Sequence, residues 1–318
     1  MTFASIDSKV RAVNTFIDLG VMDARRMVIP NWHHAAIKKT EATSRGLYAW
    51  MNDVPVIGTK LASGYAKAGV SSQAFELYSE EQGMVIEIKK PDIRDDRYGV
   101  FGDLPGKLGR RIEEFPQDLI WDLFKEGDQT TYNSKSILSF DGLAFFHDSH
   151  LTNGRDSSGG TYDNLIGSTA LTKANLEAMI ATLAAIPDNQ GKAMNQQANR
   201  LIVPPQLSIT AADILMAMTI STGGQNMSAN DQLAARGKSR IEIVEVPQLT
   251  GDPTVWYLAS VTDGRAPMIW QETEALHITP LIAPTDLNVL RDNLYIWYVT
   301  GESGVGFADP RTVLRCTA

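Results

Sequence analysis

Arg200-Leu201-Ile202-Val203-Pro204-Pro205 opens the stretch that decides the fold, Asn199 to Ser260, because each join within it carries its own signal. The apolar run reads as a short strand. Pro204 and Pro205 end it, since neither has an amide hydrogen to give to a neighbouring strand. Ser208 or Thr210 is placed to cap a helix from Ala211 to Met218, with Ile214, Leu215 and Met218 on one face. After a polar loop holding Gly223-Gly224 and Gly237, Arg240 to Val246 and Thr254 to Ser260 have the β-branched and aromatic content of strands. Pro247 and Gly251-Asp252-Pro253 join them. The unit reads as α/β scaffold, for it holds no nucleophile elbow, phosphate-cradling loop or metal-ligand pair.

Upstream, Thr172 is an N-cap for Lys173 to Ile186, where Leu176, Met179, Ile180, Leu183 and Ile186 share a face and Pro187-Asp188 ends the helix. Thr169 to about Val261 therefore reads as one semi-independent subdomain. Within Asp92 to Gly127, Leu108, Ile112, Phe115, Leu119 and Leu123 recur at helical spacing, widened by Ile120 and Phe124. Pro116 should kink or restart that helix, and Gly127 should stop it. Met84 to Lys90 reads as a strand. The preceding excursion from Trp50, punctuated by Pro55, Gly58, Gly64 and Gly69, has the pattern of a long two-stranded loop in which Lys60 and Lys67 are ordinary solvated lysines. Near the N-terminus Val10, Val13, Phe16 and Ile17 form a short amphipathic helix. After Pro30 no period is sustained, as in an arm whose apolar groups find partners in other chains.

Downstream, Pro267 to Gln271, Ala275 to Ala283 and Asn293 to Thr300 read as strands, the last apolar on both faces and so buried on both. Gly301, Gly304 and Gly306 should interrupt the chain before a final strand, Thr312 to Thr317. That strand is expected to return to the long-helix domain, leaving the subdomain from Thr169 to about Val261 as an insertion.

One constellation suggests chemistry, His147-Asp148-Ser149-His150. Histidines three apart among carboxylates can hold a divalent ion from one helical turn, and a Ser-His-Asp set is nominally present. The flanks Asp141-Gly142, Asn153-Gly154 and Gly159-Gly160 predict turns instead of the rigid support such a set needs. The segment reads as a structural loop, and exchanging both histidines for Ala should remove no metal and leave assembly intact. His33-His34 read as surface histidines and His277 as isolated. Asp95-Asp96 and Glu113-Glu114 are helix-terminal charge and a solvated face, because sequence neighbours on a helix do not face each other. No catalytic, cofactor-binding or metal-ligating residue is assigned.

The chain has 318 residues, 43% of them hydrophobic, enough for one large or two modest domains. No apolar run approaches a membrane span, and Met1 to Gly20 lacks a basic-then-apolar signal pattern, so a soluble product without a membrane partner is expected. Its 37 acidic against 29 basic side chains, net −8, argue against a protein whose task is gripping phosphates. The single cysteine, Cys316, excludes an internal disulfide and reads as an idle thiol.

Three segments, in order between Glu41 and the C-terminus, together resemble the major head subunit family of Mu-like phages and prophages. They are Ile93-Arg94-Asp95-Asp96-Arg97-Tyr98-Gly99-Val100-Phe101, Phe140-Asp141-Gly142-Leu143-Ala144-Phe145-Phe146 before a His, and Arg200 to Leu207 followed by an Ala-rich helix. The resemblance implies an α+β protein with the Hong Kong 97-like phage capsid fold. Its parts would be an N-terminal arm (1–50), an extended E-loop (51–90), a peripheral domain with spine helix (91–168), an inserted axial domain (169–262) and return strands of the peripheral domain (263–318). It also implies a major capsid protein, not an enzyme, that self-assembles as hexamers and pentamers of an icosahedral head around double-stranded DNA. By the same resemblance its partners are its own copies, a scaffold or head protease, a portal, a decoration protein where one exists, and DNA held on the inner surface without sequence specificity. The location implied is the virion, after synthesis in the host cytoplasm, and the loop Ser221 to Lys238 would lie at the symmetry axes. Two alternatives stay open, an encapsulin-like compartment shell and a metal-dependent hydrolase centred on His147, Asp148 and His150.

Overall fold

The computed structural model describes residues 30–51, 72–95, 104–153, 156–188, 191–215, 240–262 and 264–318, with a few isolated positions between them. Chain order gives β1 (Ala36–Thr40), the hairpin strands β2 (Arg45–Met51) and β3 (Ser72–Tyr78), β4 (Glu80–Lys89), helix α1 (Lys90–Asp95) and the long helix α2 (Leu104–Lys125). Two short ladders follow, β5 (Thr131–Tyr132) with β6 (Lys135–Ser136) and β7 (His150–Asn153) with β8 (Asp156–Tyr162). Next come β9 (Leu165–Ile166), α3 (Lys173–Ala185), β10 (Arg200–Val203), α4 (Pro205–Leu215), the two-residue strands β11 (Thr219–Ile220) and β12 (Asn226–Met227), and β13 (Glu242–Glu245). The chain closes with β14 (Val255–Ala259), β15 (Met268–Leu281), α5 (Leu287–Asp292), β16 (Leu294–Phe307) and β17 (Val313–Thr317).

The apolar strands of the 200–260 stretch form the centre of a five-stranded sheet ordered β13-β10-β14-β17-β9. Alternation along them feeds two cores. Leu201, Val203, Trp256, Leu258, Leu314 and Cys316 face α3 and α4, where Leu176, Leu183, Ala211 and Leu215 complete one core. Ile202, Val255, Tyr257, Ala259 and Val313 face the other way, onto Ile120, Trp121 and Phe124 of α2. Burial on both faces is why Val255–Ala259 is apolar without a break. As expected, Thr172 caps α3, its hydroxyl accepting from the Asn175 amide at 3.2 Å.

Two joins differ from the sequence reading. Helix α4 begins at Pro205, not after Ser208 or Thr210. A proline in the first helical turn has no amide to lose and a φ already suited to the helix, so the residue that stops the strand also starts the helix. The final strand returns to the long-helix region through packing, Val313 against α2, but takes its main pairing partner from the 200–259 stretch. It lies between β14 and β9, antiparallel to β14 from Val255↔Thr317 to Ala259↔Val313. The strands of residues 263–318 thus divide between two sheets, and the sheet of residues 200–259 is incomplete without β17.

The second sheet is four-stranded, β1-β15-β16-β4. Its first strand lies in the stretch after Pro30 that showed no period, and it pairs in parallel with β15 from Ala36↔Met268 to Thr40↔Glu272. Helix α2 links the sheets. Leu108 and Ile112 pack on Ile88, Tyr295, Trp297 and Val299 at the far end of the second sheet, while Ile120 to Phe124 lie between the two. The helix passes through Pro116 without restarting. An interior proline costs about 3 kcal/mol, and the buried neighbours Ile112 and Ile120 hold the turn on either side of it.

Nor do the three glycines end a strand. β16 runs through all three, because the hairpin root crosses it at Gly304 and Gly306 and the β15 backbone at Glu274 and Leu276 stands against Gly301. A Cβ at Gly304 would stand 2.5 Å from the Tyr78 carbonyl oxygen, and one at Gly306 2.8 Å from Leu77 Cδ1. These glycines are clearance, not punctuation. Gly304→Ala is expected to lower stability by about 1–3 kcal/mol, the scale of overpacking. Gly251→Ala, where a Cβ meets nothing within 4 Å, is the neutral control in the same thermal melts. Equal melting temperatures would remove this account of the glycines.

Candidate functional site

The loop before β7 brings the two candidate histidines near each other, with ring centroids 5.9 Å apart, but gives them different surroundings. His150 is wholly buried. Its Nδ1 is 2.7 Å from Asp141 Oδ2, its Nε2 is 3.0 Å from the Phe145 carbonyl, and its ring stacks on Tyr162 at 5.2 Å. A carbonyl only accepts, so Nε2 carries hydrogen. Asp141 also accepts the Leu143 amide at 3.1 Å and the Leu151 amide at 3.3 Å, the surroundings of a carboxylate. Burial pushes the Asp141 carboxyl up, but the His150 hydrogen bond and charge and the two amides outweigh it and hold the group below its ordinary range. His147 is partly exposed and accepts the Ser149 amide at 3.0 Å, while the Ser149 hydroxyl donates to Asp148.

Asn164, fully buried, fastens this loop. It accepts from the His147 amide at 2.8 Å and donates to the carbonyls of Phe145 at 2.9 Å and Pro310 at 3.0 Å. The polar directions of His150, Asp141 and Asn164 are therefore used inside the protein. The set resembles a catalytic one in composition alone. Among the described residues no group of three or more His, Cys, Asp or Glu is arranged to hold a metal ion.

The expectation that both histidines are dispensable needs correcting for His150. Its burial and two partners make it part of the core, a role that turn signals in the flanks could not reveal. His34 also differs from expectation. It lies in the 3-10 turn Trp32–His34, partly buried, with its Nδ1 lacking a hydrogen-bond partner and 3.9 Å from Glu242. Burial first, and then His33, whose ring lies tilted 4.0 Å away, push its pKa down to about 4. Beside it Asn31 accepts from Trp121 Nε1 at 2.7 Å, which ties this turn to α2. His277 is exposed on β15, 3.4 Å from Glu274.

A second buried polar centre escaped the sequence reading. Asp309, 1% exposed, caps the 3-10 turn Pro310–Thr312 and accepts from the Arg311 amide at 3.0 Å, Arg311 Nε at 3.2 Å and Arg265 Nη2 at 2.6 Å. The signal was Asp309-Pro310, an N-cap followed by a first-turn proline. Cys316 is buried, and burial pushes its thiol up to about 12, as befits an idle thiol.

Large apolar side chains stand exposed at several extremities: Leu47 on the hairpin, Met84 and Val85 on β4, Ile209 on α4, and Leu287 and Leu290 on α5. Residues 52–71 of the extended loop, most of Ser221 to Lys238, the segment with Val10, Val13, Phe16 and Ile17, and Met218 lie outside the described residues. No helix among the described residues is long and apolar enough to cross a membrane.

Comparison with known proteins adds four likenesses. The family model described as phage capsid protein matches residues 76–316. The Mu-like prophage FluMu major head subunit of Haemophilus influenzae is 27% identical over 146 residues, which cover 44% of this chain and 43% of that protein. The chain therefore aligns with less than half the length of that relative. Among solved structures, a subunit of the bacteriophage JBD30 procapsid superposes on 97% of this chain and 75% of its own, with a TM-score of 0.54 at 17% identity. The capsid of cyanophage P-SCSP1u covers 91% of this chain and 88% of its own, with a TM-score of 0.59 at 10% identity. The fold is the Hong Kong 97-like α+β capsid fold.

Proposed function

The chain belongs to the phage capsid protein family, and from that premise we propose that it is a major capsid protein building an icosahedral phage head. The observation that carries the proposal is the family match over residues 76–316. It is a structural protein, not an enzyme, and its place is the virion shell. Its mechanism is geometric. Many copies meet through apolar extremities such as Leu47, Leu287 and Leu290, and contacts of modest individual strength add up to a stable shell.

The finer reading keeps to the same premise. Copies associate as hexamers and pentamers, with the Ser221 to Lys238 loop at the axes, an arm of residues 1–50 and an E-loop of residues 51–90 on neighbours. DNA is enclosed without sequence-specific contact, which the net charge of −8 supports. A scaffold or head protease, a portal and a decoration protein where one exists are the further partners, and synthesis takes place in the host cytoplasm. Electron microscopy of the purified protein tests the core of this. Closed shells with five- and six-fold clusters are the expected result. Small discrete oligomers at every protein concentration would overturn it, and shells that enclose a protein cargo in place of DNA would move the chain to the encapsulin-like class.

A further inference from the structure

The hairpin β2–β3 leaves the body at a joint of polar groups beside one buried leucine, Leu77, and its centre is Gln271. This side chain, on the middle of β15, is fully buried yet surrounded by hydrogen-bond partners. Its Oε1 accepts from Tyr48 Oη at 3.0 Å. Its Nε2 donates to Ser79 Oγ at 2.8 Å and reaches the Ser44 carbonyl at 3.5 Å. Thr273 Oγ1 donates to the same Ser79 oxygen at 2.9 Å, and the Ser79 amide donates to the Ser44 carbonyl at 2.7 Å. Ser44 precedes β2 and Ser79 follows β3, so a single amide holds the roots of both strands.

The backbones around it are bare. Gln271 pairs across the sheet with Gly304. Gly304 lies under the Tyr78 carbonyl and Gly306 under Leu77, and a Cβ on Gly46 would overlap Gln271 Oε1. Glycine and hydrogen bonds in this arrangement have a mechanical consequence. Separating interlocked apolar side chains exposes hydrophobic surface and is resisted in proportion to area. Separating a polar joint exchanges protein hydrogen bonds for water at a net cost of only about 1 kcal/mol each. The joint is thus ordered while its bonds are made and cheap to open.

We propose that Gln271 is a positioning residue that sets the angle of strands β2 and β3 against the four-stranded sheet, through a polar hub that opens without uncovering the three core clusters. The cores themselves contain none of these groups: Gln271, Ser79, Thr273 and Tyr48 lie outside all three apolar clusters. The consequence for a shell, that contacts made by the hairpin on a neighbour shift when the hub is broken, rests on the head-subunit reading. The hinge in a single subunit does not.

The test uses the full chain carrying spin labels at Leu47→Cys on the exposed side of the hairpin and Arg110→Cys on the exposed side of α2. Cys316 is buried and leaves labelling selective. Labelled chain is diluted into unlabelled chain so that only distances within a subunit are read. Gln271→Met keeps the length and removes the hydrogen bonds. The expected result is a broadened or displaced label distance, with amide exchange at the hairpin root about tenfold faster, the scale of one to two lost net hydrogen bonds. Core melting, followed by tryptophan fluorescence, should change little. A Gln271→Met protein whose label distances and root exchange match the parent would overturn the proposal. If that variant does not fold, Ser79→Ala combined with Thr273→Val opens the same hub from its rim, and unchanged distances there overturn it equally. Altered distances with unchanged shells would leave the hinge standing and count against the head-subunit reading of the hairpin.

Discussion

A chain that stops at Thr312 is expected not to fold, although it lacks only six residues. Those residues carry β17, and Val313, Leu314 and Cys316 are all fully buried. Val313 belongs to the core against α2, and Leu314 and Cys316 to the core against α3 and α4. Each such aliphatic side chain contributes about 1.5–3 kcal/mol by leaving water. The truncation also strips five residue pairs from β14 and the parallel partner of β9, and it removes Arg315, whose Nη1 is 2.6 Å from Asp128. Exposing the β14 edge and both cores together is on the order of the whole stability of a domain, about 5–15 kcal/mol. The same argument applies to residues 169–262 expressed alone, since their sheet lacks the strand that lies beside Val255–Ala259. The readout is the fluorescence of Trp256, opposite Cys316 in the sheet, with far-ultraviolet circular dichroism. A cooperative melt near the parental temperature would show that β17 is dispensable and that the subdomain is independent after all.

The sequence made the local elements legible and hid the long-range ones, for one physical reason. Helical period, an N-cap threonine or a doubly apolar strand is encoded within a few neighbouring residues, so α3, most of α2, β10, β14 and the first half of β16 could be read directly. Pairing partners are not encoded locally. The parallel match of β1 with β15 joins residues more than two hundred apart, and β1 carries Lys38, Lys39 and Thr40, which show no apolar alternation. The sheet that received β17 was hidden in the same way. Gly301, Gly304 and Gly306 are ambiguous on their own, for a glycine that ends a strand and one that makes room for a crossing backbone look alike until the crossing chain is in place. At the His147 to His150 loop the turn signals were read correctly as structural, yet nothing in them separated a surface histidine from one sealed against Asp141 and Tyr162.

That separation yields the sharpest contrast between two neighbouring substitutions. His150→Ala is expected to cost about 3–5 kcal/mol, the scale of leaving a buried carboxylate without its hydrogen-bonded partner. His147→Ala, at a partly exposed position, should stay within about 0.5 kcal/mol, the range of ordinary surface changes. Asp141 is what makes the first so large. With His150 gone its carboxylate keeps the Leu143 and Leu151 amides but loses the 2.7 Å contact, while its burial is only partly relieved. The pH dependence follows with a definite sign. In the parent, the Asp141 carboxyl is held below its ordinary range, so its contribution is complete above the unfolded value near 3.9 and is lost as pH falls through the lower folded value. In His150→Ala the main support for the charge is absent and burial raises the carboxyl instead, so the unfolded state releases its proton first and the variant weakens as pH rises. The gap between parent and variant should therefore be widest at neutral pH and narrow on acidification towards pH 4, as Asp141 takes up a proton. Denaturant melts of parent, His147→Ala and His150→Ala at several pH values read this directly. Equal losses from the two substitutions, or a His150→Ala deficit that does not change with pH, would mean that the Asp141–His150 pair is not the interaction that holds this loop.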